Sequence, residues 1–330
     1  MYEKYCFTKI KREYFLKKSN YFQYLCFRLR QICNFTGFFK DSLSLRDQMC
    51  ILSITDSELL QIVKIIRTIS TYDFSDYSEK SLKRRFAKIL LDYRITTDEL
   101  LRRLKNQPNF VEEVVRKVMV NTTELFRDPS VWLSLRNDVL RKLEHKPVIR
   151  IWHAGCSTGQ EVYSMMILLN EMGLLNKTEL YATDLDTTAI DIAKKGIYRY
   201  KFNIKYLDNF DKVIRNDINN PLIVRDIPYQ KYFEIDQAND IIKIDKLLLE
   251  KPIYAKHDLV KDPNIFHVTF DLVMCRNVII YFNYNLHNRI FQFFYDNLCE
   301  NGYLMLGIHE SILGPFSNKF EKRGYYYQRQ

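Results

Sequence analysis

Glycine is scarce in this chain: nine residues in 330, and none between Gly37 and Gly155. A hundred-residue stretch without glycine suits helices joined by tight polar loops and argues against a glycine-rich, loop-built domain in that part. Long apolar runs are missing too. No segment of about 18 uncharged apolar residues occurs, and the start of the chain has no compact apolar region followed by a small-residue cleavage site, so no integral membrane segment is expected and the expected location is cytoplasmic. The seven cysteines are odd in number and include no C-x-x-C pair, which excludes a paired disulfide framework and favours reduced thiols. The six histidines show no H-x-x-x-H or His/Cys ligand spacing, and no metal is expected.

What the chain does have is apolar content of 47% with 27% charged residues, the balance of a globular protein with room for about two domains. The net charge of +10 is uneven, since residues 1 to 50 hold ten Lys/Arg against four Asp/Glu. That segment also carries twelve aromatics and four cysteines without a sustained period, and reads as an N-terminal extension of unknown role. Basic excess alone fits nucleic acid, an anionic membrane face or an acidic protein partner.

From Thr55 the pattern sharpens. Thr55-x-x-Glu58 is a capping box, followed by Leu59, Ile62, Val63, Ile66 and Ile69 on one helical face. A second helix is predicted from about Ser78 to Tyr93, with Leu82, Phe86, Ile89 and Tyr93 inward and Lys80, Arg84 and Lys88 stacked on another face. Further helices are expected from near Thr97, from Phe110 to a stop at Asn121-Thr122-Thr123, and from Pro129 to about Leu143, the last with Asp128 as its N-cap. Strands and helices then alternate from Val148 to Lys195, which means a parallel sheet covered on both faces. Residues 197 to 250 lose the rhythm and suggest a small antiparallel β insertion. The sheet resumes at Pro252 to Lys256, Phe270 to Met274 and Gly302 to Leu306, with a helix from Tyr284 to Cys299 and a last strand from Tyr325 to Gln328.

Gly155-Cys156-Ser157-Thr158-Gly159 satisfies the G-x-S-x-G elbow of serine hydrolases letter by letter. No oxyanion-hole segment lies upstream, and Asp184 followed by His257 or His309 is an order of letters near chance. A strand-turn-helix loop for a nucleotide-like cofactor makes a further demand that is met: Asp184 ends the next strand, in reach of a ribose diol. The third glycine of a dinucleotide loop is absent, and Glu161 at the start of the following helix repels a pyrophosphate. S-adenosylmethionine has no phosphate and carries an ammonium, a sulfonium and a ribose diol, so it suits Glu161 and Asp184 better than NAD does.

Five ordered blocks resemble a known family, the CheR-type chemoreceptor glutamate O-methyltransferases. They are Asn121-Thr122-Thr123-Glu124-Leu125-Phe126-Arg127-Asp128, Ala154 to Ser164, Ala182-Thr183-Asp184-Leu185-Asp186, His257-Asp258-Leu259, and Phe270 to Phe282. Residues from about 55 to 120, with Tyr77 and Lys83-Arg84-Arg85, resemble the family's small N-terminal domain. The resemblance implies an α/β class I methyltransferase Rossmann-like sheet under an all-helical N-terminal domain, divided here as 51–125 and 126–330, with S-adenosylmethionine as methyl donor and S-adenosylhomocysteine as product. Carried over by motif, Asn121, Thr123 and Arg127 reach over the cofactor and reacting centre, and Gly155 lies in the cofactor loop. Glu161 then holds the methionine ammonium, Asp184 the ribose hydroxyls, Asp258 and Leu259 flank the adenine, and Arg276 and Asn277 lie beneath the methionyl part. Gln160 and Val162 depart from an acid and a proline common in the family.

The chemistry that follows is methyl esterification of a glutamate carboxylate. That group is already anionic at neutral pH, so positioning replaces a general base. Arg127 is expected to orient it, with Tyr281 lining the same pocket. The stripe Lys80, Arg84, Lys88 is expected to meet an acidic, glutamate-bearing helical region of a chemoreceptor or receptor-like sensor, with recruitment to membrane receptor arrays. Two alternatives compete. A nucleic-acid methyltransferase fits the charge, but Cys275-Arg276-Asn277-Val278 is not the D/N/S-P-P-Y/F motif of those enzymes, and no nucleic-acid partner is expected. A non-catalytic adaptor binding the cofactor and a signalling partner would keep the same fold.

Overall fold

The computed structural model describes residues 54–119, 122–216 and 224–330. The expectations for residues 1–50 and for Asn121, and part of the insertion, lie outside them. Four helices come first: α1 (Asp56–Ile69), α2 (Glu79–Tyr93), α3 (Thr97–Asn106) and α4 (Pro108–Val118). The capping box at α1 forms, with the Thr55 side chain accepting from the Glu58 amide and Glu58 reaching back to Thr55. Leu59, Ile62, Val63 and Ile66 are buried as expected. Ile69, at the frayed last turn, is not: it is 44% exposed. Phe86, Leu100, Val114 and Val115 complete a helical core at or near zero exposure.

The helix from Pro129 runs to Leu143, with a π-helical stretch at Leu135–Leu140. Asp128 stands at its N-cap position but does not cap it. Its backbone is left-handed, at φ +58°, and its carboxylate turns to Arg276 instead, where a full opposite charge is the stronger partner.

Beyond it lies a seven-stranded sheet of order β6-β2-β1-β7-β8-β10-β9. Its strands are β1 (Ile149–Ala154), β2 (Thr178–Asp184), β6 (Ile253–Lys256), β7 (Phe270–Cys275), β8 (Leu298–Leu306), β9 (Phe320–Arg323) and β10 (Tyr326–Arg329). The first five in spatial order pair in parallel, and β10 runs antiparallel to β8 and β9. β9 is too short and too charged to be read as a strand from its letters. Alternation fixes the two faces: Ile149 and Ile151 of β1 pack in one core with α5 (Gln160–Glu171), and Trp152 and Ala154 pack in the other with α6 (Tyr284–Asn297).

The insertion is a three-stranded antiparallel sheet, order β3-β5-β4, of β3 (Ile197–Arg199), β4 (Phe233–Asp236) and β5 (Ile241–Ile244). Glu171 at the end of α5 is paired with Arg225 and Lys231 next to it. Hydrogen bonds and an ion pair stitch the helical layer to the sheet. Ser78 N donates to Tyr281 O (2.8 Å) and Asn283 N to Asp76 O (2.9 Å), while Arg289 pairs with Asp76 (2.9 Å). These bonds set the helices over the carboxyl ends of the parallel strands.

Candidate active site

Two glycines shape the loop after β1. Gly155 has φ +88°, and a Cβ there would lie 2.5 Å from Val278 Cγ2; Gly159 has φ +90°, with Ala193 Cβ 2.8 Å from the same imagined atom. Both positions demand glycine for conformation and for space. The amides of Gly155 and Cys156 donate to Thr183 O, and the Ser157 amide donates to Asp184 Oδ2 at 2.7 Å. The Ser157 hydroxyl is buried and has no hydrogen-bond partner among the described residues, and His257 directs its Nε2 to the Pro263 carbonyl. An activated serine needs a base on its hydroxyl. The elbow reading is excluded.

Glu161 sits in the first turn of α5, aimed back under the loop. Its carboxylate accepts from His153 Nδ1 at 2.9 Å and from Arg276 Nη1 at 3.3 Å. Burial pushes this carboxyl up, but the His153 hydrogen bond and the Arg276 charge outweigh it and hold the pKa below the usual carboxylate range. Arg276 also donates to Asp128 Oδ2 (2.8 Å) and to the Arg127 carbonyl (3.0 Å), so it ties the end of β7 to the segment that carries Arg127.

Asp184 closes β2 and accepts from Ser157 N and from Asp186 N (2.9 Å). Burial raises its pKa against the pull of those amides. The helix that follows, Thr187–Lys195, is capped by Asp186, whose side chain accepts from Thr188 N. Asp184 is therefore left to face inward. Asp258 accepts from Val260 N (2.9 Å) in a turn that presents Leu259, and Asn277 stands at φ +62° at the end of β7.

These side chains converge. One cleft, about 1100 Å3 with its open mouth, is lined by Gly155, Glu161, Asp184, Asp258, Leu259, Arg276 and Asn277 from the strand ends, and by Thr123, Glu124, Arg127 and Tyr281. The Arg127 guanidinium donates to Thr122 O at 3.3 Å and has no carboxylate partner among the described residues. The Tyr281 ring lies 4.2 Å from the Arg85 guanidinium. Lys80, Arg84 and Lys88 stay outside the cleft, exposed along α2, with Lys88 paired to Asp92.

Sequence reasoning passed over several residues of the site. Tyr77 and Arg85 line the cleft; Arg85 is 8% exposed and donates to Val118 O at 2.6 Å. Its place three residues after Leu82 and four before Ile89, on the inward stripe, was the available signal. His153 carried none, because its partner Glu161 sits on a different element beyond the glycine turn, and Asp128 carried none, because its partner Arg276 is 148 residues away.

Acids gathered beside a glycine turn suit a cationic ligand with a diol, and repel a phosphate. S-adenosylmethionine meets that description. The strand order, with an antiparallel strand inserted beside β8 and acids after β1 and β2, defines a class I S-adenosylmethionine-dependent methyltransferase. The model of the CheR methyltransferase SAM-binding domain matches residues 121–210 and 220–327, and that of the CheR methyltransferase all-alpha domain matches 57–119. A putative methyltransferase, Cher3, of Pseudomonas putida is 37% identical over 270 residues, covering 81% of this chain and 93% of its own. Chemotaxis protein methyltransferases of Borreliella burgdorferi and Vibrio cholerae are 29% and 25% identical, covering 80% and 83% of this chain and 91% and 95% of theirs. The chain belongs to the CheR methyltransferase family. It is a protein-glutamate O-methyltransferase with S-adenosylmethionine as methyl donor. Among the described residues no helix is long and apolar enough to cross a membrane.

Proposed function

We propose that the protein methylates glutamate side chains of a chemoreceptor or receptor-like sensor, presented on an acidic helical region, and that its helical part, 51–125, and sheet part, 126–330, bind that substrate together. Bound S-adenosylmethionine supplies a methyl group on a sulfonium, open to in-line attack by a carboxylate oxygen. At the strand ends, Glu161 would accept from the ammonium of the methionyl group, Asp184 from the ribose hydroxyls, and Asp258 with Leu259 would border the adenine. Thr123, in the lining of the same cleft, would border the donor. The observation that carries this reading is the Arg127 guanidinium, which lines the same cleft as Glu161, Asp184 and Asp258 and has no carboxylate partner among the described residues. Arg127 takes the incoming glutamate carboxylate by charge-assisted hydrogen bonds and turns one oxygen toward the methyl, while Tyr281 walls the approach. Lys80, Arg84 and Lys88 form a basic track outside the mouth that raises the encounter rate with an acidic helix.

Tritiated-methyl transfer from S-adenosylmethionine into membranes holding the candidate receptor tests the reading. Label released by mild base is expected of a glutamate methyl ester; base-stable label sinks the proposal. Cofactor binding without any transfer would favour an adaptor.

A further inference from the structure

The turn after β7 carries Asn277, Val278 and Tyr281 into the cleft, and one buried side chain holds amides of that turn. It is Glu310, beyond the end of β8. Its Oε2 accepts from Asn277 N (2.7 Å) and Gly307 N (2.6 Å), and its Oε1 from Ile280 N (3.2 Å). The residue is 7% exposed, lies outside the cleft lining, and has no ion-pair partner among the described residues. A buried carboxylate without a cation is costly, and its retention needs a reason beyond packing. Three converging N–H donors supply one: a carboxylate only accepts, whereas a glutamine would set its own N–H2 against one of them. Burial raises the Glu310 pKa against the pull of those amides.

We propose that Glu310 is a positioning residue for methyl transfer. It clamps the ends of β7 and β8 together, holds Asn277 in its left-handed conformation, and thereby sets Val278 against Gly155 and the Tyr281 ring beneath Arg85. The inference rests on the reading of this cleft as the methyl-transfer site. Gly307 sharpens the geometry: a Cβ there would lie 2.7 Å from Glu310 Oε2 and 3.0 Å from Asn277 N, so the clamp leaves no room for a side chain.

Two variants of the full chain test this, Glu310→Gln and Gly307→Ala, the second pushing on the carboxylate without removing it. For each, kcat with both substrates saturating, the Michaelis constant for the protein substrate, the dissociation constant for S-adenosylhomocysteine by calorimetry, and Tm are measured. Expected is a fall in kcat of at least tenfold and a several-fold weaker product affinity, with the Michaelis constant for the protein substrate near that of the parent and Tm shifted by only a few degrees. If Glu310→Gln does not fold, Gly307→Ala decides alone. Unchanged kcat and product affinity in a folded variant overturns the inference. Because product affinity needs no protein substrate, a parent enzyme that binds S-adenosylhomocysteine but methylates no glutamate would defeat the functional reading and leave the effect on product affinity to be scored separately.

Discussion

The two sides of the cleft are charged and held in opposite ways. On the strand-end side the carboxylates are fixed: Asp184 by two backbone amides, Asp258 by its own turn, Glu161 by His153 and Arg276. On the other side, among the described residues, the arginines touch carbonyls and a ring, Arg127 at Thr122 O and Arg85 at Val118 O and Tyr281. Fixed acids without spare reach suit a cationic ligand of constant shape. Cations left without a carboxylate suit an anionic group that arrives and leaves. The difference separates donor from acceptor across one cavity.

Removing the helical-side charge should have the largest effect. Arg127→Ala is expected to lower kcat by about a hundredfold or more while calorimetry shows S-adenosylhomocysteine still bound, since misplacing a reacting group costs on that order. Unchanged turnover would erase the division between the sides. On the opposite side, Gly155→Ala forces a side chain into φ +88° and against Val278. A loss of about 2 to 4 kcal/mol in stability by denaturant titration is expected, against about 1 to 2 kcal/mol for Gly173→Ala, where φ is +72° but nothing lies within 4 Å.

The two acids nearest the donor should respond to pH in opposite senses. Glu161 titrates below its ordinary range in the fold, so its contribution to stability is present above that range and lost as pH falls through the lowered value. Asp184 titrates above its ordinary value, so its contribution is complete below that value and lost as pH rises through the raised one. Tm followed from about pH 3 to pH 7 should therefore lose part of its acid-side slope in Glu161→Gln, and lose less stability with rising pH in Asp184→Asn. Equal slopes in both variants would contradict the contrast. Smallest is the outer track: reversing Lys80, Arg84 and Lys88 to Glu should raise the Michaelis constant for receptor by a few-fold at low salt, fading as salt screens it, with cofactor affinity unchanged.

Much of the donor side could be read from the letters because its positions are marked by the local pattern around them. Gly155, Glu161 and Asp184 follow strands whose ends the hydrophobic pattern marks, and the acid two positions beyond Asp184 takes the capping role. The helical side was legible as helices but not as a surface. Arg84 and Arg85 are adjacent letters; one is exposed and the other is 8% exposed, over the Tyr281 ring. Asp128 before Pro129 reads as an N-cap, and only the approach of Arg276, 148 residues away, turns its carboxylate elsewhere.

By itself the sequence determined the helical and strand periods, the glycine turn and the family blocks, since each depends on neighbours a few residues apart. The tertiary structure decided which charges pair, which arginine is buried, and that Glu310 grips the turn after β7. Those outcomes depend on where the ends of nonadjacent strands meet, and a pairing between remote residues leaves no period along the chain.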